Sequence, residues 1–172
     1  MSDSFLQIIG EHHHIVYLIG KGGTFIDAHH MALAGNAILK SGGLGVKVET
    51  AGKAFEKEQW SALLDPFVES NLYRMFVIDS IGSVDGLTYS CGMHNLGLRD
   101  TIVVGESFQE SVDLIRIFSF YMIIDKPLIS EGQTFSRDLE SPKFRIVNES
   151  SQPNMGIELF ENPYGMWRLS RV

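Results

Sequence analysis

The sequence of 172 residues contains one cysteine, Cys91, so it cannot close an internal disulfide, and its stability has to come from burial. Long apolar runs are also missing. The longest, residues 112–124, covers about 13 positions and carries Asp113 and Arg116, too short and too charged to cross a bilayer. Basic residues are scarce: 14 Lys and Arg stand against 21 Asp and Glu, a formal net charge of −7. That balance weighs against nucleic acid, whose binding depends on cations neutralising phosphates, and against an anionic membrane surface. It permits attraction to a basic protein partner. The opening Met-Ser-Asp-Ser lacks a basic n-region, and the first apolar run is short, so a reducing cytoplasm is the expected compartment. No repeat with a period of roughly 20–50 residues is visible, which excludes a solenoid. Gly20-Lys-Gly-Gly-Thr24 places its lysine ahead of the paired glycines and lacks the phosphate-loop spacing, so it reads as a turn.

What is present is the composition of a globular chain, 44% hydrophobic and 20% charged. A single domain over residues 1–172 is expected, large enough to bury roughly 70% of the unfolded chain's surface. After a weakly patterned start with a short helix, residues 12–19 are rich in β-branched and aromatic side chains and read as a strand closed by glycines. A helix follows from Asp27, as N-cap, to Lys40, with Met31, Ala34 and Ile38 as its apolar face. Leu44, Val46 and Val48 alternate with polar residues as in a half-buried strand. Helical spacing returns over residues 53–64, with Phe55, Trp60 and Leu63 as core candidates. Residues 72–80 and 87–91 flank a glycine-bounded loop at 82–86, the pattern of a hairpin.

A short strand at 101–104 precedes Ser107-Phe-Gln-Glu110, a capping box that predicts a helix to residue 124. Phe108, Val112, Ile115, Phe118 and Met122 line its expected core face, widened by Leu114, Ile117 and Tyr121, against a sheet that includes residues 44–49. Further strands are expected at 128–130, 144–148 and 157–160, with a loop at 148–154 and Trp167 pinning the tail. The order of elements predicts an α+β fold: a mixed or antiparallel sheet with helices packed mainly on one face.

Residues 89–100, Tyr-Ser-Cys-Gly-Met-His-Asn-Leu-Gly-Leu-Arg-Asp, gather the cysteine, a histidine, two glycines and an Arg-Asp pair between two predicted strands. With the helix that follows and Ile129-Ser-Glu-Gly-Gln-Thr134, this stretch resembles the bacterial family catalogued as domain of unknown function 4261. The resemblance extends over roughly residues 11–148, through the His-rich segment Glu11-His-His-His-Ile-Val-Tyr, the helix 28–40 leading into Gly43-Leu-Gly-Val, and residues 125–134. Lys47 stands where that family often has an aromatic, and Arg99-Asp100 fills its acidic position. The resemblance implies a fold and brings no established reaction. Some members lie near secreted-toxin loci, which implies an immunity or adaptor role.

Six histidines raise the question of a metal. On a strand His12 and His14 share one face and His13 the other, while adjacent His29 and His30 diverge around a helix. No His-x-x-x-His and no second cysteine occur, so no metal site and no cofactor are expected. Were a site present, His12, His14, His30 and His94 would form it. Cys91 and His94 are the candidate nucleophile and base, set against a lone cysteine's usual place as a small buried hydrophobe. The acidic residues Glu56, Glu58, Asp65 and Glu69 read as a solvated face.

The function expected from the sequence is non-enzymatic binding, as an immunity protein that occludes its cognate toxin stoichiometrically. Asp85, His94, Asn95, Arg99 and Asp100 are its partner-binding residues. The competing expectation is a metal- or cysteine-dependent hydrolase, using the His-rich segment or the Cys91 and His94 pair.

Overall fold

The computed structural model describes residues 3–83, 86–150 and 157–172. Asp85, at the tip of the expected hairpin loop, and most of the expected 148–154 loop lie outside the described residues. Within them the order is α1 (Asp3–Gly10), α2 (Phe25–Lys40), β1 (Gly45–Val48), β2 (Lys53–Glu56), α3 (Lys57–Ala62), α4 (Glu69–Phe76), β3 (Ile78–Gly82), β4 (Thr88–Cys91), β5 (Asp100–Val104), α5 (Phe108–Ile124), β6 (Thr134–Phe135), β7 (Phe144–Glu149) and β8 (Met166–Arg171). Strands β3-β4-β5-β8-β7-β6 form one mixed sheet in that order; β5 and β8 run parallel, and the other neighbours are antiparallel. Helices pack on this sheet, and the fold is α+β.

The capping box builds α5 as its sequence dictates. Ser107 Oγ accepts from the Glu110 amide, and the Glu110 carboxylate accepts from the Ser107 amide and hydroxyl. Val112, Leu114, Ile115, Phe118 and Met122 are buried against β3, β4 and β5, whereas Phe108 and Ile117 turn out to solvent. The sheet under α5 does not contain residues 44–49. Those form β1, which pairs only with β2 in a separate hairpin turned at Gly52, a residue at φ +64. Alternate residues of the main sheet serve two cores. Val103, Ile146 and Leu169 join the large cluster under the helices, while Tyr89, Ile102 and Met166 form a smaller one on the opposite face.

Several expectations need correction, mostly because tertiary partners decide them. Residues 12–19 form no strand: their β-prone side chains find no strand edge to pair with. Helix α2 is capped by Thr24, three residues ahead of Asp27, with Thr24 Oγ1 accepting from the Asp27 amide at 3.0 Å and donating to its carboxylate at 2.7 Å. Its buried face is Ala28, Ala32, Gly35 and Leu39, one position on from the predicted stripe. Gly35 faces the ring of Trp60, whose indole Nε1 donates to the Ala32 carbonyl at 3.0 Å. Residues 53–64 divide into β2 and the short α3, and of the strand expected at 72–80 only residues 78–80 are strand, residues 69–76 forming α4 ahead of β3. No strand forms at 128–130, and 157–160 holds a 3-10 turn, Glu158–Phe160. Trp167, expected to pin a tail, instead lies in β8 in the middle of the sheet.

Candidate functional site

The connection from β4 to β5 is shaped by two glycines. Gly92 sits at φ +113, and a Cβ there would meet the Phe76 carbonyl oxygen at 2.0 Å; Gly97 sits at φ +76, where a Cβ would meet the Gly23 carbonyl oxygen at 2.2 Å. Both the left-handed backbone and the close approach require glycine. Between them the chain makes a 3-10 turn, Met93–Leu96. The Gly23 amide donates to the Asn95 carbonyl at 3.2 Å, which ties the start of α2 to the same turn.

Asp100 holds this connection from inside and has no exposed surface. Its Oδ1 accepts from Ser90 Oγ at 2.9 Å and from the Met93 amide at 3.2 Å; its Oδ2 accepts from Asn162 Nδ2 at 2.7 Å. Ser90 Oγ in turn accepts from the Thr101 amide at 2.9 Å, and Asn162 Nδ2 also donates to the Leu98 carbonyl at 3.0 Å. One carboxylate thereby joins β4, the turn, β5 and the segment that leads into β8. Burial pushes its pKa up to about 6, against the lowering effect of these donors.

Asn95 is also committed inward. Its Nδ2 donates to the Gly92 and Phe76 carbonyls at 2.9 and 3.4 Å, and its Oδ1 accepts from Thr50 Oγ1 at 2.9 Å. Cys91 is buried, and its thiol contacts the Thr50 and Phe160 carbonyls at 3.7 and 3.6 Å, with no bond to His94. Burial, and secondarily the Asp100 charge, pushes that thiol up to about 12, so at neutral pH it is a thiol and a poor nucleophile. The partly buried His94 is lowered by burial, and its Nδ1 meets no hydrogen-bond partner. Arg99 stacks on Trp167 with its guanidinium carbon 4.3 Å from the ring centre and donates to Asn148 Oδ1.

The structure thus brings His94, Asn95, Arg99 and Asp100 to one end of the sheet, with Arg99 and His94 partly buried and Asp100 wholly enclosed. Exposed acidic groups at that end come from Glu158 and Glu161, beside Asn162. Asn162 and Ser90, which the sequence reading missed, have no local motif to mark them, because position 162 meets position 100 only through the sheet topology.

The histidines do not assemble. His12 and His14 are exposed ahead of α2, His30 is exposed on it, and His29 stacks on Phe67 at 3.8 Å between ring centres. Among the described residues no three His, Cys, Asp or Glu side chains converge as a metal site would require. A second polar cluster joins α4, β3 and α5: Tyr73 Oη donates to Asp79 Oδ2, and Arg116 Nε pairs with the same oxygen, each at 2.9 Å. Burial raises the Tyr73 phenol, with the Asp79 charge adding to it, and the cluster fastens the hairpin edge to the helix layer. An open groove of about 400 Å³ beside α5, lined by Tyr121, Leu128, Ile129, Phe135 and Ile146, carries no carboxylate, thiol or imidazole.

No described helix is long and apolar enough to cross a membrane. Compared with protein families, curated proteins and solved structures, the chain finds no match in any of the three.

Proposed function

We propose that this chain is a non-enzymatic binding protein of the toxin-inhibitor kind, acting in the bacterial cytoplasm by stoichiometric occlusion of a cognate protein. The observation that carries this reading is the use of Asp100 and Asn95 as internal braces of a glycine-shaped connection. Side chains engaged on both sides by their own fold hold a rigid surface in place, and a rigid surface loses little entropy on binding. The resemblance to domain of unknown function 4261 and the net charge of −7 point the same way. Arg99, His94, Glu158 and Glu161 are the groups a partner would meet at this end, and a basic groove on a nuclease-like toxin would suit the acidic pair. The hydrolase alternative draws no support from a Cys91 thiol pushed up to about 12 and turned from His94.

The test is co-expression with a neighbouring toxin gene, followed by affinity measurements at two ionic strengths. Protection that needs one inhibitor per toxin is expected, with association slowing as salt rises and slowing further in Glu158→Lys and Glu161→Lys. Protection at a sub-stoichiometric dose, or a toxin found cleaved or modified, would overturn the reading in favour of an enzyme.

A further inference from the structure

Residues 15–19, Ile-Val-Tyr-Leu-Ile, form an arm in front of α2 whose side chains are 42 to 93% exposed. Among the described residues, no backbone hydrogen bond involves any of the five. A five-residue β-prone apolar run with all its backbone donors and acceptors free is a pairing template that natural proteins rarely leave uncovered. The arm is continuous with a second apolar strip. Gly20, the residue that follows the arm, lies against Met31 of α2, so close that a Cβ there would be 2.8 Å from the Met31 sulfur. On the outer side of the same helix Ile26 and Leu33, two turns apart, are 69% and 45% exposed.

We propose that this arm and the outer stripe of α2 are a self-association surface, through which two copies of this chain pair about a two-fold axis with their arms side by side. The occupant is argued first from charge. Residues 11–49 contain Lys21, Lys40 and Lys47 against Glu11, Asp27 and Glu49, with Lys47 paired to Glu49 at 2.8 Å, and are neutral in a chain of net −7. The remaining residues therefore carry the whole −7. Two copies repel one another over most of their surfaces and least where these segments meet. A neutral segment exerts no pull on the basic partner that the acidic end of the molecule would attract, so this surface is distinct from the one described under the proposed function.

Size is the second argument. Counting roughly 150–200 Å² for each fully exposed large residue, the arm with Ile26 and Leu33 offers on the order of 800 Å² per chain, one partner's share of a standard stable interface. The third is self-complementarity. An arm made up of β-branched and bulky apolar residues can pair antiparallel with its own copy, each supplying the hydrogen bonds the other lacks, and a two-fold makes one patch serve both partners.

The experiment is sedimentation of the full chain from micromolar to roughly tens of micromolar concentration, the range in which an interface of this size associates, alongside hydrogen exchange of the arm amides. The expected result is a species of twice the 19.2 kDa chain mass, with the amides of residues 16–19 protected in it. Ile19→Asp and Val16→Asp, both at highly exposed positions, should return the protein to monomer and remove that protection without changing its melting temperature at dilution. Neutralisation of a toxin, assayed separately, should survive both substitutions. A wild type that stays monomeric over this range, a dimer indifferent to both substitutions, an arm protected within a monomer, or open-ended assemblies would each overturn the proposal.

Discussion

A carboxylate with no solvent contact is an uncommon way to hold a loop, and Asp100 has consequences that can be measured. Replacing it with alanine leaves the Ser90 hydroxyl, the Met93 amide and the Asn162 amide without their acceptor in a buried space. Asp100→Ala is therefore expected to cost about 3–5 kcal/mol in chemical denaturation. The pH dependence has a direction opposite to that of an ordinary paired aspartate. With a folded-state pKa raised to about 6 from the ordinary 3.8, the native chain takes up this proton more readily than the unfolded one. The group's contribution to stability thus increases as pH falls through 6 and levels off below 3.8, by about 2 kcal/mol between pH 7 and pH 4. Comparing wild type with Asp100→Asn over that window isolates the effect: the wild type should gain stability relative to the variant as pH falls, and a difference that stays flat would refute the burial argument. Cys91 supplies a separate check. A buried thiol pushed up to about 12 should react with a disulfide reagent only as fast as the protein opens, and at once in denaturant.

Among the elements, α5 and the β4 to β5 connection carry the architecture. Ile115 is fully buried on α5, so Ile115→Asp places an unpaired charge in the core and is expected to abolish the cooperative thermal transition; a soluble variant with unchanged melting temperature would refute the core assignment. Gly92→Ala must hold a positive φ and displace the Phe76 carbonyl, and a loss of roughly 1–3 kcal/mol or more is expected. Whereas residues 72–76, with a strand-like composition, are helical in α4, the α5 helix, its cap and the turn and second strand of the β3–β4 hairpin were legible in the sequence because each is specified by residues a few positions apart. Residues 12–19 and β8 were not, although both have strand-like composition. What separates them is a neighbour: β8 finds β5 on one side and β7 on the other, while the arm finds none. The same limit hid most of the site. The two glycines announced a shaped connection, but that Asp100 would point inward and Asn162 would meet it depended on contacts more than 60 positions apart along the chain.

At the scale of the whole molecule, the charge is unevenly distributed, with a near-neutral, apolar N-terminal quarter and an acidic remainder. Salt should therefore act differently on the two proposed contacts, weakening the one with a basic partner and leaving the arm-mediated pair unchanged or tighter. The sheet itself is two pieces, β3-β4-β5 and β7-β6, with β8 inserted between them as the parallel neighbour of one and the antiparallel neighbour of the other. During synthesis, the first piece can pair locally as soon as it leaves the ribosome, but neither piece can join the other until residue 171 has followed. The nascent chain must therefore wait with the β5 edge open, and its slowest folding step should be the loop closure that brings β8 back across more than 60 residues.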